Sequence, residues 1–337
     1  MEEVAGGPPA RELLDLAIAL SDRRPGCDWL LAAQRRRLRG GPPGDEAAMF
    51  LARRHGQPVG RITAHRQRAH RPPESAGAGD SDGDGDSEGD SDGARDSDGD
   101  GVDDGEGVGS FGFLVIGGPE DHDVASALLA AAAAWLHQRG CATLLGPVSW
   151  TSTEEAGLLV AGHDGPPVTG RAWTPPWYPD ALVAAGLEAA DELLTYRLPA
   201  ADDRQPPGHG HVELVPADFV VPAEIGRFAD PALLLAAPGD RGSVVAVPDI
   251  AGGLAADGRR GVRSREAWAI ARRARRRAWS SCVVIGLDGP EAELIPALCV
   301  AAGRAGYSWV LSPWAPDGRP PVMRHRLYRG EVASLVP

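Results

Sequence analysis

The chain has 337 residues, 43% of them hydrophobic, with 47 acidic against 34 basic residues and a net charge of −13. That length accommodates two domains of ordinary size, the longest apolar run (residues 125–136) is too short to cross a bilayer, and Met1-Glu2-Glu3-Val4 lacks the basic and apolar regions of a secretory signal. The acidity is local: thirteen acidic residues between positions 80 and 106 face Arg95 alone, so the low isoelectric point says little about the rest of the surface.

Every basic residue is Arg, which removes a catalytic Lys from consideration. Cys27, Cys141, Cys282 and Cys299 form no CxxC pair. Reduced, buried thiols in a cytoplasmic protein are the expectation, with no metal site.

Residues 10–22 carry Leu13, Leu14, Ile18 and Leu20 near helical spacing, and residues 29–38 suggest a second, basic helix. Residues 47–52 and 58–65 read as strands flanking the turn His55-Gly56-Gln57. Residues 71–110 are Gly, Asp and Ser with almost nothing apolar. Such a segment cannot bury enough surface to offset its ordering entropy, which predicts a disordered acidic insertion at about 72–109 within a β–β connection. Inside it, Asp96, Asp98, Asp100, Gly101 and Asp104 match a Ca²⁺ loop of the form DxDxDGxxD. Gly107 stands where an EF-hand needs its twelfth-position Glu, and the surrounding Asp/Ser/Gly repeat produces such matches by chance.

Phe113-Leu114-Val115-Ile116 reads as a buried strand, Gly117-Gly118-Pro119 as its turn, residues 124–139 as a helix stopped by Gly140, and residues 142–145 as a strand ending at Gly146-Pro147. The order recurs: Cys282-Val283-Val284-Ile285, Gly289-Pro290, a helix to Arg304, Gly306, then Trp309-Val310-Leu311 and Pro313. The repetition predicts two related α/β halves. A turn of this kind can present free backbone N–H groups at a helix start, where anions bind.

Between the copies lie a long loop (146–176), a short helix (178–185) closed by Gly186, a strand (193–198) and a polar linker (199–211). Strands at 212–215, 242–247 and near 324–328 follow, with an Arg-rich helix over 263–279. The stretch from Arg263 to Arg277 reads as a solvated face with Trp268, Ile270 and Trp279 turned inward, or as a contact for the acidic insertion; nucleic acid is the less favoured partner.

The element order of the first half resembles the GNAT superfamily of acyl-CoA N-acyltransferases. Val59-Gly60-Arg61-Ile62, Phe111-Gly112-Phe113, Gly146-Pro147, Gly157-Leu158-Leu159-Val160-Ala161-Gly162, Pro166-Pro167 and Pro175-Pro176-Trp177-Tyr178 are together similar to a bacterial GNAT-like family with two such halves. The resemblance covers residues 20–70 and 110–198 and is fainter from 212 to 337, where Val247-Pro248-Asp249 carries it. Thr153 and His163 depart from the family pattern, which has Asn and an aromatic there. The implied fold class is α/β: tandem GNAT-like folds with mixed twisted sheets flanked by helices, the second copy divergent. The implied domains are 1–198, a linker at 199–211, and 212–337.

The resemblance also implies chemistry. The strand before the turn splays from its neighbour and its backbone pairs with the arm of acetyl-CoA or another acyl-CoA, while the turn holds the pyrophosphate. On this chain the implied donor-binding residues are Leu114, Val115, Ile116, Gly117, Gly118 and Val124. Tyr178 is the implied acid that reprotonates the leaving thiolate, and Glu154 the implied base, with Glu155 and His163 as alternatives; the acceptor is a small amine. From its residue context alone, Tyr178 reads first as packing against Trp173 and Trp177. The turn itself holds Glu120, Asp121 and Asp123 with no basic residue. Such residues favour a helix start by capping, yet one like-charge contact with phosphate at about 4 Å costs up to roughly 4 kcal/mol before screening. Two readings stay open: an N-acyltransferase, or a catalytically inactive GNAT-fold protein that binds a metabolite or a protein partner.

Overall fold

The structure, a computed structural model, describes residues 2–3, 11–20, 27–40, 46–66, 107–150, 155–201, 214–217, 219, 229–239, 241–256 and 280–336. The acidic insertion up to residue 106, with its Ca²⁺-like loop, and the Arg263–Arg277 stretch lie outside these residues; residues 107–109, expected within the insertion, are strand. Among the described residues no helix is long and apolar enough to cross a membrane, and no cluster of His, Cys, Asp and Glu could hold a metal ion.

The first half begins with β1 (Glu2–Glu3), α1 (Arg11–Leu20) and α2 (Cys27–Gly40), followed by the hairpin β2 (Ala47–Arg54) and β3 (Gln57–Arg66). Positive φ at His55 (52°) and Gly56 (78°) closes the two-residue turn with the twist a hairpin needs. Next come β4 (Gly107–Ile116), α3 (His122–His137), β5 (Cys141–Gly146), β6 (Leu158–Ala161), α4 (Tyr178–Ala184) and β7 (Glu188–Pro199). The second half has β8 (Val215–Pro216), β9 (Leu234–Ala236), β10 (Ser243–Pro248), α5 (Ile250–Ala256), β11 (Ser281–Asp288), α6 (Glu291–Arg304), β12 (Trp309–Ser312), β13 (Met323–Glu331) and α7 (Val332–Leu335). Sequence reading omits β6, β9 and α5, which are three to seven residues long and carry too little periodicity to show.

The strands form one sheet in the order β1-β2-β3-β4-β5-β13-β7-β12-β11-β10-β9-β8, with β6 also on β13. Both repeated units place their strands in parallel, β4 with β5 and β11 with β12. The halves interlock. β13, the last strand of the chain, inserts between β5 and β7, and α7 lays Val332 into the core under α3. β7 spans both halves: residues 188–195 pair with β13 and residues 196–199 with β12. A reciprocal cap adds a further tie. Asp249 Oδ1 accepts from Thr169 N (2.9 Å) and Gly252 N (3.1 Å), while Thr169 Oγ1 accepts from Ala251 N (2.9 Å). The Val247-Pro248-Asp249 motif therefore starts α5 and anchors the long loop of the first half onto it.

In the first half, one face of the sheet packs on α3. The Ala-rich helix sits close because Gly60 and Gly109 face it; an added Cβ would lie 2.6 Å from Val124 Cγ1 at the first and 2.4 Å from Leu136 Cδ2 at the second. The other face packs on α1 and α2 through Leu13, Leu14, Leu38, Leu51, Phe113, Val115 and Trp150. β4 serves both faces out of step. Phe111 and Leu114, three residues apart, both reach the α3 core, and Phe113 between them adopts φ 48°. Gly112 opposes Thr63 while Val115 opposes Arg61, so β4 holds one extra residue, a bulge.

Candidate functional site

The bulge lies where β4 leaves β5. The two strands pair from Gly107 to Ser110, Val148 N adds a bond to Phe111 O (2.7 Å), and there the ladder stops. Gly112 permits the crossing: a Cβ there would lie 2.0 Å from Val148 O. Beyond it, residues 113–116 have β3 on one side and a wedge on the other.

A cavity of about 410 Å³ fills the wedge. Leu114, Val115, Ile116, Gly117 and Gly118, the donor-binding residues that the resemblance implies, form one wall, and Tyr178 another. Leu30, Leu31 and Gln34 of α2 roof it; His163, Trp173 and Trp177 close it from the long loop. This size and mainly apolar lining suit a small-molecule ligand. Ile116 N–H donates to the Tyr178 hydroxyl (2.9 Å), which lies 3.4 Å from Ile116 O. Burial pushes the Tyr178 pKa up to about 12, so the phenol is neutral. Its ring packs against Trp177 at 4.6 Å, while Trp173 takes His163 as its ring neighbour at 6.2 Å.

The other predicted site residues fall elsewhere. Val124 is in the core over Gly60, and its N–H is taken by Asp121 O (3.1 Å). Glu154 is outside the described residues. Glu155 is buried and engaged with Gln34 Nε2 (2.5 Å) and Arg37 (3.6 Å), which gives it a structural tie. Of the two described candidate bases, Glu155 and His163, it is His163 that lies on the cavity wall.

The acidic turn is answered by a residue distant in sequence. Arg54, at the end of β2, holds Asp121 Oδ1 (2.5 Å) and Asp123 Oδ1 (2.9 Å). Asp121 makes no side-chain cap bond at the start of α3, so the capping reading does not hold for it; the ion pair with Arg54 outcompetes the cap. Its Oδ2 instead lies 2.8 Å from where a Gly117 Cβ would be. A carboxylate of the chain thus hangs over the glycine turn.

Arg61, quoted above only as part of a motif, holds the site together. It is 1% exposed and forks into three elements: Nη1 to Leu13 O (2.6 Å) and Leu14 O (3.3 Å) of α1, Nη2 to Gln34 Oε1 (3.3 Å) of α2, and Nε to Phe113 O (3.2 Å) at the bulge. Burial lowers its pKa to about 10, which leaves it charged at neutral pH. A lone Arg between Gly60 and Ile62 in an otherwise buried strand was the available signal.

Two parallel pairs, each joined through a turn and a helix, and a bulged strand before the first turn give a mixed α/β fold in two halves that is GNAT-like in its element order. No family model matches the chain. Protein YghO of Escherichia coli (strain K12) is 29% identical over 153 residues, which is 45% of this chain and 31% of YghO, so the match spans under a third of that protein. Similar solved structures include a tandem GNAT protein from the clavulanic acid biosynthesis pathway (TM-score 0.42, 13% identity, 98% of each chain). A GCN5-related N-acetyltransferase from Sphaerobacter thermophilus is similar over 90% of this chain and 85% of that one (TM-score 0.41, 10% identity).

Proposed function

We propose that the first half is an N-acyltransferase that moves an acyl group from acetyl-CoA or another acyl-CoA to a small amine. The supporting observation is the wedge: residues 114–116 line a cavity with a neutral, buried tyrosine hydroxyl on its wall. The fit to the donor divides. The wedge suits an extended thioester arm lying along β4 where it has left β5. The turn opposes a pyrophosphate, because Asp121 already lies over Gly117. The donor supplies an activated carbonyl and a thiol leaving group. As the amine nitrogen bonds to that carbonyl carbon and the C–S bond breaks, His163 takes the amine proton and Tyr178 gives its proton to the thiolate.

Tyr178→Phe should lower the acyl-transfer kcat by about a hundredfold or more, with the acyl-CoA Kd changed by less than about threefold. An unchanged kcat would show that Tyr178 serves packing only. Asp121→Asn with Asp123→Asn removes two negative charges and releases Arg54 toward the turn. Acetyl-CoA should then bind about tenfold tighter at low salt, the gain shrinking as salt rises. Equal affinity would place the pyrophosphate away from this turn.

The same Asp121 carboxylate favours a second reading, a GNAT-like protein that binds a metabolite or a partner without catalysis. Calorimetric titration with acetyl-CoA, CoA and acetyl-pantetheine separates the two. Micromolar binding of the thioesters supports the enzyme; no binding up to millimolar concentration leaves the binding protein.

A further inference from the structure

The second parallel pair splays as well. β11 and β12 pair only as far as Val283 and Leu311, and β12 ends at Ser312. Residues 284–287 of β11 then face residues 192–194 of β7 across a wedge with a cavity of about 340 Å³. Leu193, Leu194, Ile285, Leu287 and Pro313 give it apolar walls.

One cation stands in it. Arg171, from the loop between β6 and α4, reaches Thr195 Oγ1 (Nε, 3.3 Å), Val284 O (Nη2, 3.3 Å) and Gly170 O (Nη1, 3.5 Å). All three acceptors are neutral, and all three bonds are longer than charge-assisted ones. Among the described residues no carboxylate pairs with it. Glu192, on the cavity lining, is held by Arg326 at 2.6 Å. Burial lowers the Arg171 pKa. A desolvated guanidinium without a counter-ion is costly, and its planar fork matches a carboxylate.

We propose that this second cleft binds the carboxylate of a small acid with an apolar body, anchored by Arg171. The site does not repeat the first cleft. Arg171 bridges the wedge from β7 to β11 and takes the Val284 carbonyl that an extended thioester arm would need. A single cation among apolar walls, with Glu192 close by, also disfavours a phosphate dianion. The proposal is independent of acyl transfer.

The test is calorimetric titration and thermal unfolding of the full chain with sodium isobutyrate and sodium benzoate, against isobutyramide and benzamide, at constant ionic strength. At least one acid should bind about tenfold or more tightly than its amide and raise Tm. Arg171→Met should abolish that difference. Leu287→Phe, which keeps the cation but fills the cavity, should do the same and covers the case in which Arg171→Met does not fold. Acids and amides that behave alike, or an acid effect that survives these substitutions, overturns the proposal.

Discussion

Stability should fall steeply as pH drops from about 6.5 to about 4, the interval between the ordinary histidine pKa and the value to which burial lowers both His65 and His325. His65 is 3% exposed and lies edge-on to Trp150 at 5.4 Å. His325, fully buried on β13, has Nε2 2.9 Å from Ala172 O, and the nearby Arg171 and His163 add to the cost of charging it. Within the interval the unfolded chain binds protons that the folded chain refuses. The contribution is whole above the unfolded pKa and lost as pH falls to the folded one. It amounts to about 3 kcal/mol per histidine, or about 6 kcal/mol together, an appreciable part of a typical folding free energy. Urea midpoints from pH 7 to pH 4 would measure it. Asp249 acts in the opposite sense, since burial raises its pKa. A His325→Gln variant, which can still donate to Ala172 O but does not titrate, should flatten about half of the slope. A midpoint that is level across the interval would mean that the rings are solvated or paired in the acid form.

Arg61→Met should destabilise the protein by about 3–5 kcal/mol, the usual result of removing one partner from a buried charged network. The methionine fills much of the volume but leaves the Leu13, Leu14 and Phe113 carbonyls without their donor. Arg61→Lys keeps the charge but cannot fork to three elements, so most of the loss should remain. The change reaches function, because the Phe113 carbonyl is at the bulge that turns β4 into the wedge and Gln34 is on the cavity roof. Binding at the first cleft should weaken along with the urea midpoint. A loss under about 1 kcal/mol would show that water can replace the guanidinium.

Much of the local structure was legible in the chain. Glycines at 56, 140 and 186 mark turns because positive φ is required there. The apolar run of β4 and the Ala-rich run of α3 fixed the first strand–turn–helix–strand unit, and its echo fixed the second. Leu114 to Gly118 and Tyr178, which line the cavity, were singled out by the family resemblance and not by periodicity. Pairing across the chain was not legible. Nothing in residues 323–331 says that they lie between β5 and β7, because backbone donors and acceptors are chemically alike in every strand. The partner of the acidic turn was not legible, since Arg54 is 67 residues from Asp121 and meets it only when the hairpin folds over α3. Arg61 and Arg171 appeared in the sequence as two of 34 arginines. Composition and periodicity set which segments are strands and helices, through local sterics and apolar spacing. Only the tertiary structure decided which charges are buried and what they meet, because burial and ion pairing depend on elements that are far apart in the chain.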